Sequence, residues 1–185
     1  MLSDVEREAR SRMEAAVEAL RSDLAAIRTG RASPALVERI RVEYYGTLTP
    51  LKELAGVSIP EPHQLLIRPW DPGALKDIER AILASDLGLT PNNDGQLIRL
   101  SIPPLTEERR RELARMVAKR VEEGKVAVRN IRRDVLADLK EMQNEKLITE
   151  DDYYEGREAL QKITDEFTRL MDEVGQEKQN EIMQV

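Results

Sequence analysis

Four cations in this chain have a spacing that could do chemistry. Lys125, Arg129, Arg132 and Arg133 stand three and four positions apart, so on a helix they share one face. Arg109, Arg110, Arg111 and Arg115 extend the basic strip toward lower numbers. A guanidinium is a planar fork that fits phosphate oxygens in pairs, which a lysine point charge does not. Such a strip suits the backbone of an RNA, since phosphate contacts supply much of the affinity in nucleic-acid binding. A plainer reading stands beside it: charge runs on long helices are often solvated faces or partners of acidic neighbours. No aromatic side chain is interleaved with these arginines, which argues against stacking of single-stranded bases. Recognition of folded RNA by shape and phosphate remains open.

Other chemistry finds little material. His63 is the only histidine, beside Pro62 and near strand-like sequence, where such a residue is more often surface or hydrogen-bonded structure than a catalyst. There is no cysteine, and no histidine and carboxylate spacing fits a metal site. A Ser/His/Asp or Cys/His arrangement is therefore almost without candidates. Gly30 in RTGRASP lacks the companion glycines of a phosphate cradle. Glu107-Glu108 and Asp151-Asp152 fall at expected helix starts, where the helix dipole accounts for them. Trp70 and the Tyr44-Tyr45 pair read as packing of a small domain, although Tyr44-Tyr45-Gly46 could form an exposed turn. The expectation is a protein that is not an enzyme, with no cofactor and no metal.

Positioning the arginines requires a long helix, and proline marks where one can exist. All nine prolines lie between Pro34 and Pro104, and residues 1–29 and 105–185 have none. Proline removes a helix donor and clashes with the preceding turn, so the flanks permit long helices while the middle implies short elements. In the first flank Leu2, Val5, Ala9, Met13, Ala16, Leu20, Leu24 and Ile27 repeat at helical spacing. Gly30 suits a C′ stop, with Arg28 in the last turn. The second helix opens after Thr106 and carries Leu113, Val117, Val121, Gly124, Val128, Ile131, Val135, Leu139 and Met142. At roughly 40 residues it would span about 60 Å. The third opens with Thr149 and Asp152 as a capping box and carries Tyr153, Gly156, Leu160, Ile163, Phe167, Leu170, Val174, Lys178 and Ile182. Three stripes, each apolar on one side, close into a three-helix bundle.

Between them, residues 40–44, 64–68 and 96–102 alternate like strands. Asp71-Pro72 starts a helix running to about Ser85 with Leu75, Ile78 and Ile82 inward. Asn92-Asn93-Asp94-Gly95 reads as a tight turn. The predicted class is α+β: a bundle from 1–29 and 106–185, with 30–105 inserted as a β/α/β domain.

Composition qualifies the RNA reading. The net charge of −6 over 185 residues argues at first against a nucleic-acid partner. Binding responds to the local field, however. Residues 106–140 hold eleven basic and seven acidic side chains, whereas 141–185 hold five and thirteen. The positive charge is gathered on the second helix. Neither an apolar signal core nor a run of membrane length appears, so a soluble cytoplasmic protein is expected.

Five ordered stretches carry a resemblance along essentially the whole chain: IRTGRASP (27–34), VEYYGTLTPL (42–51), SDLGLTPN (85–92), PPLTEERR (103–110) and VAVRNIRRD (126–134). The chain resembles the ribosome recycling factor family. That resemblance implies an antiparallel three-helix bundle with an inserted β/α/β domain, L-shaped and of tRNA-like dimensions, acting as a monomer. It implies binding to the large subunit of the 70S post-termination ribosome, and subunit separation with elongation factor G and GTP. By motif, Arg132, Arg129 and Arg133 would contact large-subunit rRNA, with Arg110 and Arg28 as additions. Gly30, Pro104 and Leu105 would be hinge positions, and the small domain would face elongation factor G.

Overall fold

The computed structural model describes residues 1–184. The chain divides into two compact units, residues 1–28 with 107–185 and residues 29–106.

The first unit is built from three long helices, α1 (Leu2–Ala25), α5 (Glu107–Asn144) and α6 (Glu150–Met183). Each buries one strip. Met13 and Leu20 of α1, Val117 and Val128 of α5, and Leu160 and Phe167 of α6 all lie inside. Burying a side chain of this size contributes about 1.5–3 kcal/mol. At two positions a neighbour is buried in place of the residue expected for these stripes. Val17 is buried where Ala16 is only half-buried, and fully buried Met171 displaces half-buried Leu170. Strips wider than one residue per turn explain both, since Thr164 and Gly175 are buried as well.

Glycine sets the approach of α5 to α6. A Cβ on Gly175 would collide with Cγ2 of Val121, and one on Gly124 would lie 3.0 Å from Sδ of Met171. The expected capping box is present: Thr149 accepts from the Asp152 N–H and Asp152 from the Thr149 N–H, both at 3.0 Å. The turn before it uses Lys146 at φ +59.

The end of α1 differs from expectation. It stops at Ala25, not near Gly30, so Arg28 lies beyond the last turn. Gly30 does take φ +73, but beyond the helix end, and a Cβ there would lie 3.2 Å from both the backbone N and Cγ of Leu105. The Gly30 carbonyl also meets Nδ1 of His63 at 2.7 Å, which gives the only histidine a hydrogen-bonded place.

The second unit holds α2 (Ala35–Glu38), the hairpin β1 (Arg41–Tyr44) and β2 (Thr47–Pro50), and α3 (Leu51–Leu54). Then follow β3 (Ala55–Glu61), β4 (Gln64–Pro69), α4 (Leu75–Ala84), β5 (Pro91–Asn93) and β6 (Ile98–Ser101). Tyr45 and Gly46 both have positive φ, the geometry of a two-residue hairpin turn that follows strand twist. The larger sheet runs β3-β4-β6-β5, antiparallel throughout. Asp71 accepts from the Gly73 N–H at 2.9 Å and caps a short 3-10 turn that leads into α4. Strand alternation sends Leu65, Ile67, Ile98 and Leu100 inward, where they pack with Leu75, Ile78 and Ile82 of α4.

Sequence pattern identified β1, β4 and β6 but not β2, β3 or β5. β3 and β5 are the two edges of the larger sheet, and each contains proline, which an edge tolerates well. The predicted turn at 92–95 is therefore shorter, since Asn92 and Asn93 belong to β5. Trp70 does not sit in the packing expected of it; the side chain is 69% exposed.

Candidate RNA interface

A basic strip is a binding surface only where its charges are not already spent, and α5 divides on that ground. Near its start, Arg109 meets Glu112 at 2.9 Å and Arg111 meets Glu107 at 2.6 Å, pairs set by helical spacing. Further along, Arg120 reaches Asp23 of α1 at 3.7 Å, and Lys125 is paired with Asp172 of α6. Arg129 meets Glu122 at a looser 3.4 Å with both side chains largely in solvent. Such exposed pairs are weak and screened by salt, so a phosphate competes readily for Arg129.

Arg132 and Arg133 differ. Neither has a carboxylate partner among the described residues. Arg132 is half-buried and donates from Nη1 to Oε1 of Gln161 on α6 at 3.4 Å, while Gln161 donates to Asp165 at 2.9 Å. The neutral amide holds the guanidinium near α6 without neutralising it. Arg133 is exposed.

Arg110 is half-buried with its Nε enclosed and without a hydrogen-bond partner among the described residues. Arg28 is exposed in the segment after α1. The structure therefore brings Arg129, Arg132 and Arg133 together on one stretch of α5. Arg110 lies five to six helical turns away along the same helix, and Arg28 lies off it. Lys125, expected on the shared face, is largely spent on α6.

Sequence reading missed the partners that make this division. Gln161 and Asp172 sit on α6, and no local spacing pairs them with α5. The i,i+3 and i,i+4 partners of Arg109 and Arg111, by contrast, are legible in the spacing alone. Ion pairing between helices is also used for packing. Arg10 of α1 grips Glu166 of α6 with two bonds, 2.9 and 3.1 Å, lying 5.6 Å over the Phe167 ring. The hydrogen bond from Arg10 holds the Glu166 carboxyl below its usual range.

Comparison with known proteins settles the class first: this architecture is that of non-enzymatic translation factors. The family model described as Ribosome recycling factor matches residues 20–183. The ribosome-recycling factor of Chloroflexus aggregans is 55% identical over 185 residues and that of Roseiflexus castenholzii 54%, each covering all of both chains. A solution structure of the ribosome recycling factor superposes with a TM-score of 0.74 at 43% identity, covering 100% of this chain and 98% of that one. A second match comes from models of the T. thermophilus ribosome recycling factor and the E. coli elongation factor G bound to the E. coli post-termination complex. It has a TM-score of 0.63 at 46% identity, with full coverage of both chains. The chain belongs to the ribosome recycling factor family, and its work is ribosome recycling.

Proposed function

We propose that this chain binds the large subunit of the post-termination 70S ribosome and, with elongation factor G and GTP, drives subunit separation and release from mRNA. Arg132 and Arg133 are the principal rRNA contacts, Arg129 joins them, and Arg110 and Arg28 add weaker ones. The observation that carries the assignment is the division along α5. Four of these five arginines have no carboxylate partner among the described residues, whereas most other cations of α5 do. An unpaired guanidinium keeps its full attraction for a phosphate oxygen.

Recycling on this reading needs no catalytic group of the chain's own. Elongation factor G hydrolyses the GTP, the three packed helices transmit force, and the arginines hold the RNA. The bundle (1–29 and 106–185) and the insert (30–105) act as separate domains that swing about Gly30, Pro104 and Leu105, with the insert facing elongation factor G. The chain works as a cytoplasmic monomer. No described helix is long and apolar enough to cross a membrane.

The test is Arg132→Ala, followed by sedimentation with vacant ribosomes across a salt series, with splitting measured alongside. Binding should fall and the salt slope flatten, with helicity by circular dichroism unchanged. Unchanged binding refutes the residue assignment. A wild-type chain that neither binds nor splits ribosomes refutes the reading as a whole.

A further inference from the structure

The interleaving of aromatic and basic side chains that α5 lacks occurs elsewhere, on the uncovered face of the four-stranded sheet. Strand alternation turns Leu65 and Ile67 of β4 into the core, so Leu66, Arg68 and then Trp70 fall on the opposite face. Leu66 is paired with Arg99 of β6, and Arg99 in turn with Asn92 of β5. Arg68 and Arg99 are thus diagonal neighbours on one surface, about 7–8 Å apart at the backbone. Both are exposed, and neither has an ion-pair partner among the described residues.

Trp70 borders this pair. Gly56 stands opposite Arg68 in β3, and a Cβ on Gly56 would lie 3.1 Å from Cη2 of Trp70. Glycine therefore leaves room for the indole to rest on the sheet. At 69% exposure most of the ring meets solvent, an expensive position for the largest apolar side chain in the chain. The carboxylates around this face do not cancel it. Asp71, next to Trp70 in sequence, already accepts from the Gly73 N–H at 2.9 Å and the Tyr44 hydroxyl at 2.8 Å. Asp94 feels Arg99 but is occupied by the N–H groups of Gln96 and Leu97, at 2.9 and 3.0 Å. Glu61 sits at the far end of the β3–β4 hairpin, opposite Gln64.

We propose that this open sheet face binds single-stranded RNA, with a base stacked on Trp70 and the adjoining phosphates held by Arg68 and Arg99. Stacking on an exposed ring tolerates any base, and flanking cations track the backbone; an antiparallel sheet presents both on one plane. Charge complementarity favours this occupant. Two unpaired arginines beside a bare ring suit a polyanion with flat bases better than a protein surface. The site is independent of the arginines of α5 and stands or falls separately from them.

Trp70 is the only tryptophan of the chain, so its emission reports on this face alone. The experiment titrates the full-length protein with octauridylate and follows that emission across a salt series. Saturable quenching is expected, weaker with a blunt RNA duplex whose bases are already stacked. Replacing both cations, Arg68→Ala with Arg99→Ala, should weaken binding on the order of tenfold and lower the salt slope by about 1.4, two phosphates at about 0.7 each. Arg132→Ala should leave the quenching as it was. The proposal is overturned if millimolar octauridylate leaves the emission unchanged. It is equally overturned if quenching survives the double substitution but is lost in Arg132→Ala. Emission that responds to elongation factor G and not to RNA would make the face a protein-docking surface instead.

Discussion

In the bundle, each helix buries a strip repeated over many turns; in the inserted unit, the core is assembled from elements none longer than the ten residues of α4. A strip is redundant, because turns on either side of a damaged position keep their contacts. A shared core is not, because Ile67 and Leu100 from different strands meet the same helix. The bundle compensates for its thinness by close approach, with glycine at Gly124 and Gly175 where α5 meets α6. The insert relies on turn chemistry instead: Tyr45-Gly46, Asp71 and Asp94 each fix a change of direction. Damage should therefore spread through the insert and stay local in the bundle.

The largest effect that tests this contrast is Ile67→Ala, which opens a cavity in the shared core at a cost of about 2–5 kcal/mol. Hydrogen exchange should accelerate across β4 and β6 together while the amides of α5 and α6 keep their protection. Equal acceleration in both units would end the contrast. Gly175→Ala is the converse case, since its methyl collides with buried Val121 and overpacking costs about 1–3 kcal/mol. Faster exchange should centre on the α5–α6 contact and leave the sheet alone.

Smaller still is Thr149→Ala, which removes one half of the capping box and about 1 kcal/mol. Fraying confined to the first turns of α6, read by the same exchange, is the expected sign of bundle redundancy. The smallest effect comes with acid. The Thr149 N–H, with its hydroxyl second, holds the Asp152 carboxyl below its usual range. A depressed carboxylate stabilises above its unfolded value and loses that contribution as pH falls through the folded one. Acid titration of helicity should show this loss at the start of α6, and Asp152→Asn should abolish its pH dependence.

How much of this was legible in the sequence follows from the range of each interaction. Proline between Pro34 and Pro104 confined the long helices correctly because its effect is local. The capping box at Thr149 was readable for the same reason. Gly30 does not stop the helix, which ends at Ala25; its place is set by close approach to Leu105, 75 positions on, beyond the reach of local pattern. Strands β2, β3 and β5 escaped notice because none alternates: β2 and β3 lack a buried–exposed rhythm and β5 has only three residues. The arginines of the site were visible as a cluster. Which of them are unspent was not, because Asp172 and Gln161 reach them from another helix.

The contact between Gly30 and Leu105 bears on how the chain assembles as it is made. α1 leaves the ribosome first, and its apolar strip has no partner until α5 emerges some eighty residues later. Closing an open loop of that length costs about 4 kcal/mol in chain entropy by the usual logarithmic scaling. The insert is synthesised in between, and once folded it already holds residues 30 and 105 in contact. From then on α1 and α5 are joined by the equivalent of a short tether. The order of synthesis thus lets the smaller unit act as a clasp, so that the larger one closes without searching for its own beginning.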